Sequence, residues 1–201
     1  MPIAKKDVQG LSIPAMNIQL MKVKINGTAP LIFHKWDEKA IRMILDKQMK
    51  KAQKGREVRD PEKEYESSFY YDSEGNIAFP ARNIKQAIVG SARFINGVPM
   101  TILRGALFVE GDKDGFIPLT YKEKTMRQDM VTVGMGTADI RFRGQVEGWS
   151  MELMIKFDAN ILSSEQVLNL LQRAGFSQGL GEWRPERNGD NGTFEIETTD
   201  E

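Results

Sequence analysis

The sharpest pattern in the chain runs from Trp149 to Asp158, where Trp149, Met151, Leu153, Ile155 and Phe157 alternate with Ser150, Glu152, Lys156 and Asp158. Alternation of this kind puts one set of side chains on a buried face and predicts a strand. Asn17 to Ile25 reads as a second strand, ended by the turn pair Asn26-Gly27, and Leu31 to Trp36 as a short extended piece. Elsewhere the period lengthens. From Lys39 to Ala52, Ile41, Ile44, Leu45 and Ala52 share one stripe, with Arg42, Lys47, Lys50 and Lys54 away from it, which predicts a helix. A clearer helix covers Arg82 to Phe94 after the step Phe79-Pro80-Ala81, with Ile84, Ala87, Ile88 and Ile95 on one face. A third carries Val167, Leu168, Leu170 and Leu171; Ser163 and Gln166 form a capping-box pair at its start, and Gly175 is the expected stop.

Between these elements the signals are turn-rich. Residues 1 to 16 read as a loose arm, and Gly55 to Ser68 as a charged, irregular stretch. Phe69 to Tyr71 and Asn76 to Phe79 flank Ser73-Glu74-Gly75 as a small hairpin. A strand is expected over Thr101 to Val109. Residues 110 to 146 make a long excursion with a hairpin inside it, Met130 to Val133 against Ala138 to Arg143, turning at Gly134 and Gly136. Thr193 to Glu197 is the last strand. The core order is strand, helix, strand, strand, helix, strand. It predicts one α+β domain over residues 1–201 with an RRM-like or ferredoxin-like βαββαβ core. A large helical insertion (37–78) follows the first strand, and the excursion (110–146) separates core strands two and three.

Composition narrows the function. Lys plus Arg and Asp plus Glu each total 28 in 201 residues, so there is no net charge to draw the whole protein to nucleic acid. The signs are separated, however: Lys35 to Arg59 is strongly basic and Glu182 to Glu201 mostly acidic, which allows head-to-tail contact between copies. The absence of cysteine removes disulfides, zinc–thiolate sites and thiol nucleophiles. No apolar run approaches the roughly 18 residues of a membrane span, and a cytoplasmic location is expected.

Three segments carry candidate chemistry. On the helix after Pro80, Arg82, Lys85, Gln86 and Arg93 fall opposite Ile84 and Ile88, so free first-turn amides and cations together suit a phosphate; a plain solvated face is the alternative. The loop Gly179 to Gly192 combines Gly179 and Gly181 with Trp183, Arg184 and Arg187, a set able to approach, stack on and neutralise a sugar-phosphate strand, or to be an ordinary surface loop. In the excursion, Arg127 joins Arg141 and Arg143, which leave one strand face as a basic ribbon unless Asp129 and Asp139 neutralise it.

Taken in order, the step Phe79-Pro80-Ala81-Arg82-Asn83-Ile84-Lys85-Gln86-Ala87 with a later Arg93, and the Gly-rich loop running into Phe194-Glu195-Ile196, resemble two motifs of the RAMP superfamily of CRISPR proteins. Arg82-Asn83 stands where that motif carries two serines, and Gln86 where it carries a glycine. The resemblance implies an RNA backbone held near the Lys-bearing helix and the Gly-rich loop, with Arg82, Lys85 and Arg93 on phosphates. It also implies Arg141 and Arg143 on a projecting thumb, and copies stacked head to tail. The stretch from Arg127 to Arg143 also resembles a family of uncharacterised tailed-phage proteins, which implies a phage-encoded chain working in the host cytoplasm.

No nucleophile constellation, nucleotide fingerprint or metal-ligand spacing is visible, and His34 is the only histidine. Asp37 and Glu38 read as the acidic first turn of a helix. The expectation is a non-catalytic protein without cofactor or metal. It would bind single-stranded RNA or DNA with little regard to sequence and assemble in multiple copies. The alternatives are a phage assembly protein that self-associates without nucleic acid, and a metal-independent endoribonuclease using His34.

Overall fold

In a computed structural model that describes residues 14–36, 38–51, 58–134 and 136–197, the alternating stretch after Trp149 becomes the strand around which the main sheet is built. The elements begin with β1 (Ile18–Gly27), β2 (Leu31–Ile32), α1 (Glu38–Gln48), α2 (Pro61–Ser67), β3 (Tyr70–Tyr71), β4 (Ile77–Pro80) and α3 (Ala81–Ser91). They continue with α4 (Met100–Ala106), β5 (Leu107–Glu110), β6 (Phe116–Thr120), β7 (Glu123–Val133), β8 (Thr137–Glu147), β9 (Ser150–Asp158), α5 (Ser164–Ser177) and β10 (Phe194–Ile196).

β9 runs antiparallel to β1 from Asp158 opposite Ile18 to Ser150 opposite Asn26. β10 joins the outer side of β1, and the other edge of β9 is divided between β5, beside residues 154–157, and β6, beside Met151 and Ser150. β6 leads on to β4 and β3. The strand order through the middle of the sheet is therefore β10-β1-β9-β5, all antiparallel. A second sheet joins β2 to a long ribbon of β8 and β7. The period-two pattern explains the layering. Met151, Leu153, Ile155 and Phe157 are buried on one face of β9, level with Val23 and Ile25 of β1. Ile84 and Ile88 of α3 and Val167, Leu170 and Leu171 of α5 are buried in the same core. Each such aliphatic or aromatic side chain contributes about 1.5–3 kcal/mol by leaving water.

Four local expectations need correcting. Thr101 to Val109 is not one strand: residues up to Ala106 form α4, with Leu103 and Ala106 buried at helical spacing, and only Leu107–Glu110 are extended. Charged residues 61–67 are not irregular but form α2, where Asp60 accepts from the Lys63 amide, Pro61 opens the first turn and Tyr65 is buried. Gly175 does not end α5, which runs to Ser177; a Cβ at Gly175 would lie 2.0 Å from the Phe194 carbonyl oxygen, so the glycine admits β10 against the helix. Of Leu31 to Trp36, only Leu31–Ile32 pair as a strand.

The excursion is also divided, because β6 belongs to the main sheet and only the β7–β8 ribbon stands apart. That ribbon is longer than expected, pairing Glu123 with Glu147 at its base and Val133 with Thr137 beside the turn. Expectations for residues 1–13, Asp37, Ala52, Lys54, Met135 and residues 198–201 lie outside the described residues. Among the described residues no helix is long and apolar enough to cross a membrane.

Candidate nucleic-acid interface

A groove of about 560 Å³ opens between α3, α4, the chain just after β2 and the Gly-rich loop. Its walls bring Asn83, Lys85, Gln86 and Arg93 together with Arg104, His34, Tyr70 and residues 178–182, and with Arg184, Glu186 and Arg187 of the loop. The loop holds a defined course. Its Glu182 amide donates to the Ile32 carbonyl at 3.0 Å, and its Leu180 amide to Gly192 at 2.9 Å. Gly181 makes this docking possible: its φ is +73°, and a Cβ there would lie 2.3 Å from the Ile32 oxygen. A short 3-10 turn at Pro185–Arg187 then presents Glu186 and Arg187 at the rim.

The groove gathers five cations, Lys85, Arg93, Arg104, Arg184 and Arg187, against two carboxylates, Glu182 and Glu186. Lys85 is half-buried. Its ammonium donates to the Arg104 carbonyl at 2.7 Å and lies 3.6 Å over the Phe108 ring, and desolvation lowers its pKa. Arg184 donates to the Gly181 carbonyl at 2.8 Å and to Glu186 Oε2 through Nε and Nη2 at 3.1 and 2.7 Å. Arg93 Nη1 reaches Glu186 Oε1 at 3.4 Å. Burial pushes the Glu186 carboxyl up, but hydrogen bonds from Arg184 and the charges of Arg184, Arg187 and Arg93 hold it below its ordinary value. Among the described residues, Arg104 and Arg187 are exposed and make no ion pair. Nδ1 of His34 lies 3.3 Å from Glu182 Oε1; that hydrogen bond, against the opposing effect of burial, lowers the Glu182 carboxyl.

The structure thus brings Lys85, Arg93, Gly179, Gly181, Arg184 and Arg187 to one groove. Arg82 is exposed just outside the lining, where its charge acts on the Tyr70 phenol. The ribbon residues go elsewhere. Arg127 Nε and Arg143 Nη1 donate to the two oxygens of Asp129 at 2.7 and 3.1 Å, and Trp183 Nε1 donates to Asp129 Oδ2 at 3.3 Å. Arg143 and Asp129 are both buried, and Arg143 Nε has no partner among the described residues. Arg141 pairs with Asp139, which also accepts from Arg59. Asp129 and Asp139 therefore engage the ribbon's arginines in ion pairs without cancelling their charge, and the Trp183 indole ties the loop to the ribbon.

Sequence reasoning passed over Arg104 and Glu186 as parts of the site. Arg104 was hidden by the strand expected over its segment. Glu186 carried a visible signal, an acid set between Arg184 and Arg187 in a loop otherwise suited to anions. Among the described residues there is no group of three or more His, Asp or Glu side chains that could hold a metal ion.

No protein-family model matches the sequence, and no curated protein does. Among solved structures, the fold is similar to a chain in the cryo-EM structure of the Type III-B Cmr-beta bound to cognate target RNA, with a TM-score of 0.56 and 9% sequence identity. The alignment covers 90% of this chain but 59% of that one, so this protein spans less than two thirds of its length. What the two share is a mixed α+β fold with antiparallel sheets.

Proposed function

We propose that this protein is a non-catalytic binder of single-stranded nucleic acid, built on a RAMP-like, ferredoxin-like core and acting through the groove between α3 and the Gly-rich loop. One observation carries the reading: a chain of zero net charge collects five cations against two carboxylates in a single groove. Anionic ligands gain most where cations converge on a partly desolvated surface. The similar chain from a structure bound to target RNA supports the same class of ligand. Contacts of this kind address phosphates rather than base edges, so the reading is of sequence-tolerant binding. Assembly in multiple copies is the second element of the proposal. It draws on α1, whose Ile41, Ile44 and Leu45 remain more than 40% exposed on an eleven-residue helix.

The test is fluorescence anisotropy with labelled single-stranded RNA, single-stranded DNA and duplex, using wild type and Arg93→Ala/Arg187→Ala. Single strands are expected to bind, with affinity falling steeply between about 50 and 200 mM salt. The double variant is expected to bind more weakly, with a log–log salt slope shallower by roughly 1.4, the value for two lost phosphate contacts. Binding indifferent to salt, or none by folded protein, overturns the reading. The His34–Glu182 pair in the same groove favours a second reading, an endoribonuclease in which the carboxylate orients the imidazole. RNA recovered from the titration is expected intact on a denaturing gel. Cleavage lost in His34→Ala would decide for the nuclease.

A further inference from the structure

We propose that the Glu186 carboxylate occupies the seat of a backbone phosphate, so that a strand enters the groove by exchanging one of its own anions for this side chain. The inference rests on the nucleic-acid reading above and adds to it a residue that sets the threshold for binding. Glu186 divides its two oxygens between two arginines from different parts of the fold. Oε1 lies 3.4 Å from Nη1 of Arg93, just beyond α3, and Oε2 lies 3.1 and 2.7 Å from Nε and Nη2 of Arg184 on the loop. Two non-bridging phosphate oxygens would engage two guanidinium groups in the same divided way.

Two features make the exchange practicable. The pair is reached from solvent, since the Arg93 and Glu186 side chains are 55% and 28% exposed. Arg184 would not collapse when the carboxylate leaves, because its Nη1 is also held by the Gly181 carbonyl at 2.8 Å. The arginines thus wait in a geometry that the internal anion has already set. A single small anion gains little by replacing an anion tethered beside the site. A strand gains more, because its neighbouring phosphates reach Arg187, Arg104 and Lys85 at the same time. Glu186 would therefore tilt the groove toward polyanions and away from isolated phosphate groups.

Glu182 provides the control, because it lines the same groove and feels arginine charge but accepts from His34 and makes no ion pair with an arginine among the described residues. Glu186→Gln and Glu182→Gln change the charge of the groove equally. Both are compared with wild type by anisotropy on one single-stranded RNA at fixed salt, after thermal melts establish that all three proteins are folded. Glu186→Gln is expected to bind about fivefold tighter, the size of one exposed ion pair, and Glu182→Gln to change distinctly less. Equal gains in the two variants would reduce the effect to net charge and overturn the inference. Wild-type binding with no gain in Glu186→Gln would overturn it too, leaving the nucleic-acid reading in place. No binding by any of the three folded proteins would overturn both.

Discussion

Asp129 takes two arginines and one indole, and its carboxylate has left the solvent to do so. Its side chain and that of Arg143 are each 7% exposed, so the pair meets across a ribbon interior rather than on a surface. Removing one partner of a buried pair strands the other, at a cost of about 3–5 kcal/mol. Here the cost falls on an Arg143 whose Nε already lacks an acceptor among the described residues. Asp129→Ala is therefore expected to lower the melting temperature by roughly 10 °C, measured by circular dichroism; a shift of a degree or two would show the knot to be dispensable. Burial pushes the Asp129 carboxyl up, but Arg127 and Arg143 outweigh it and hold the pKa below the carboxylate range. A depressed folded value contributes stability above the unfolded value of about 3.9 and loses it as pH falls through the lower folded one. The gap between wild type and variant should accordingly persist from neutral pH down to about pH 4 and close only below it.

At the scale of elements, α5 and β10 meet so closely that helix propensity and packing oppose each other at one residue. Alanine is favoured over glycine within a helix by about 1 kcal/mol, yet a Cβ at Gly175 would lie 2.0 Å from the Phe194 oxygen, which is backbone and cannot swing aside. Gly175→Ala is expected to destabilise by about 1–3 kcal/mol in urea melts, as overpacking does; a net gain would mean that β10 is free to shift. The same residue shows what a sequence conveys and what it withholds. The strand at β9 and the helices α3 and α5 were legible because their periods are unbroken and each has one apolar face. Gly175 was misread because a close approach and a helix stop both require glycine. The segment before β5 was misread because it passes from helix to strand at Ala106–Leu107 without an intervening turn, and Gly105, the nearest breaker, lies inside α4. In the site, Lys85 and Arg93 on one local stretch and Arg184 and Arg187 on another were visible as strings. The Asp129 knot was not, since Trp183 reaches it across 54 residues of chain and no local pattern encodes that meeting.

For the whole molecule, the separation of charge and the bare stripe of α1 bear on assembly. A helix of eleven residues is marginal in water by itself, and an exposed stripe of Ile41, Ile44 and Leu45 beside Arg42 and Lys47 is suited to a cover that is apolar and acidic. In the proposed assembly, Glu195 of a second copy is the exposed acid available to it, since Glu197 is already held by Lys24 at 2.6 Å. If copies associate through this helix, Ile44→Glu/Leu45→Glu should reduce the mass seen by light scattering on a nucleic-acid strand to that of scattered monomers. Unchanged assembly would take α1 out of the contact. The pairing of β1 with β9 carries a further consequence, for synthesis. Residues 18–26 find their central partner only at 150–158, and residues 25–27 their outer partner only at 194–196. While the ribosome makes everything between, β1 has neither neighbour and both its edges stay open. Closure of so long a loop is slow, and open strand edges are sticky. The nascent chain must therefore carry β1 unshielded while residues 28–149 are made, and its yield in a cell should depend on how fast residues 150–196 emerge or on what holds β1 until then.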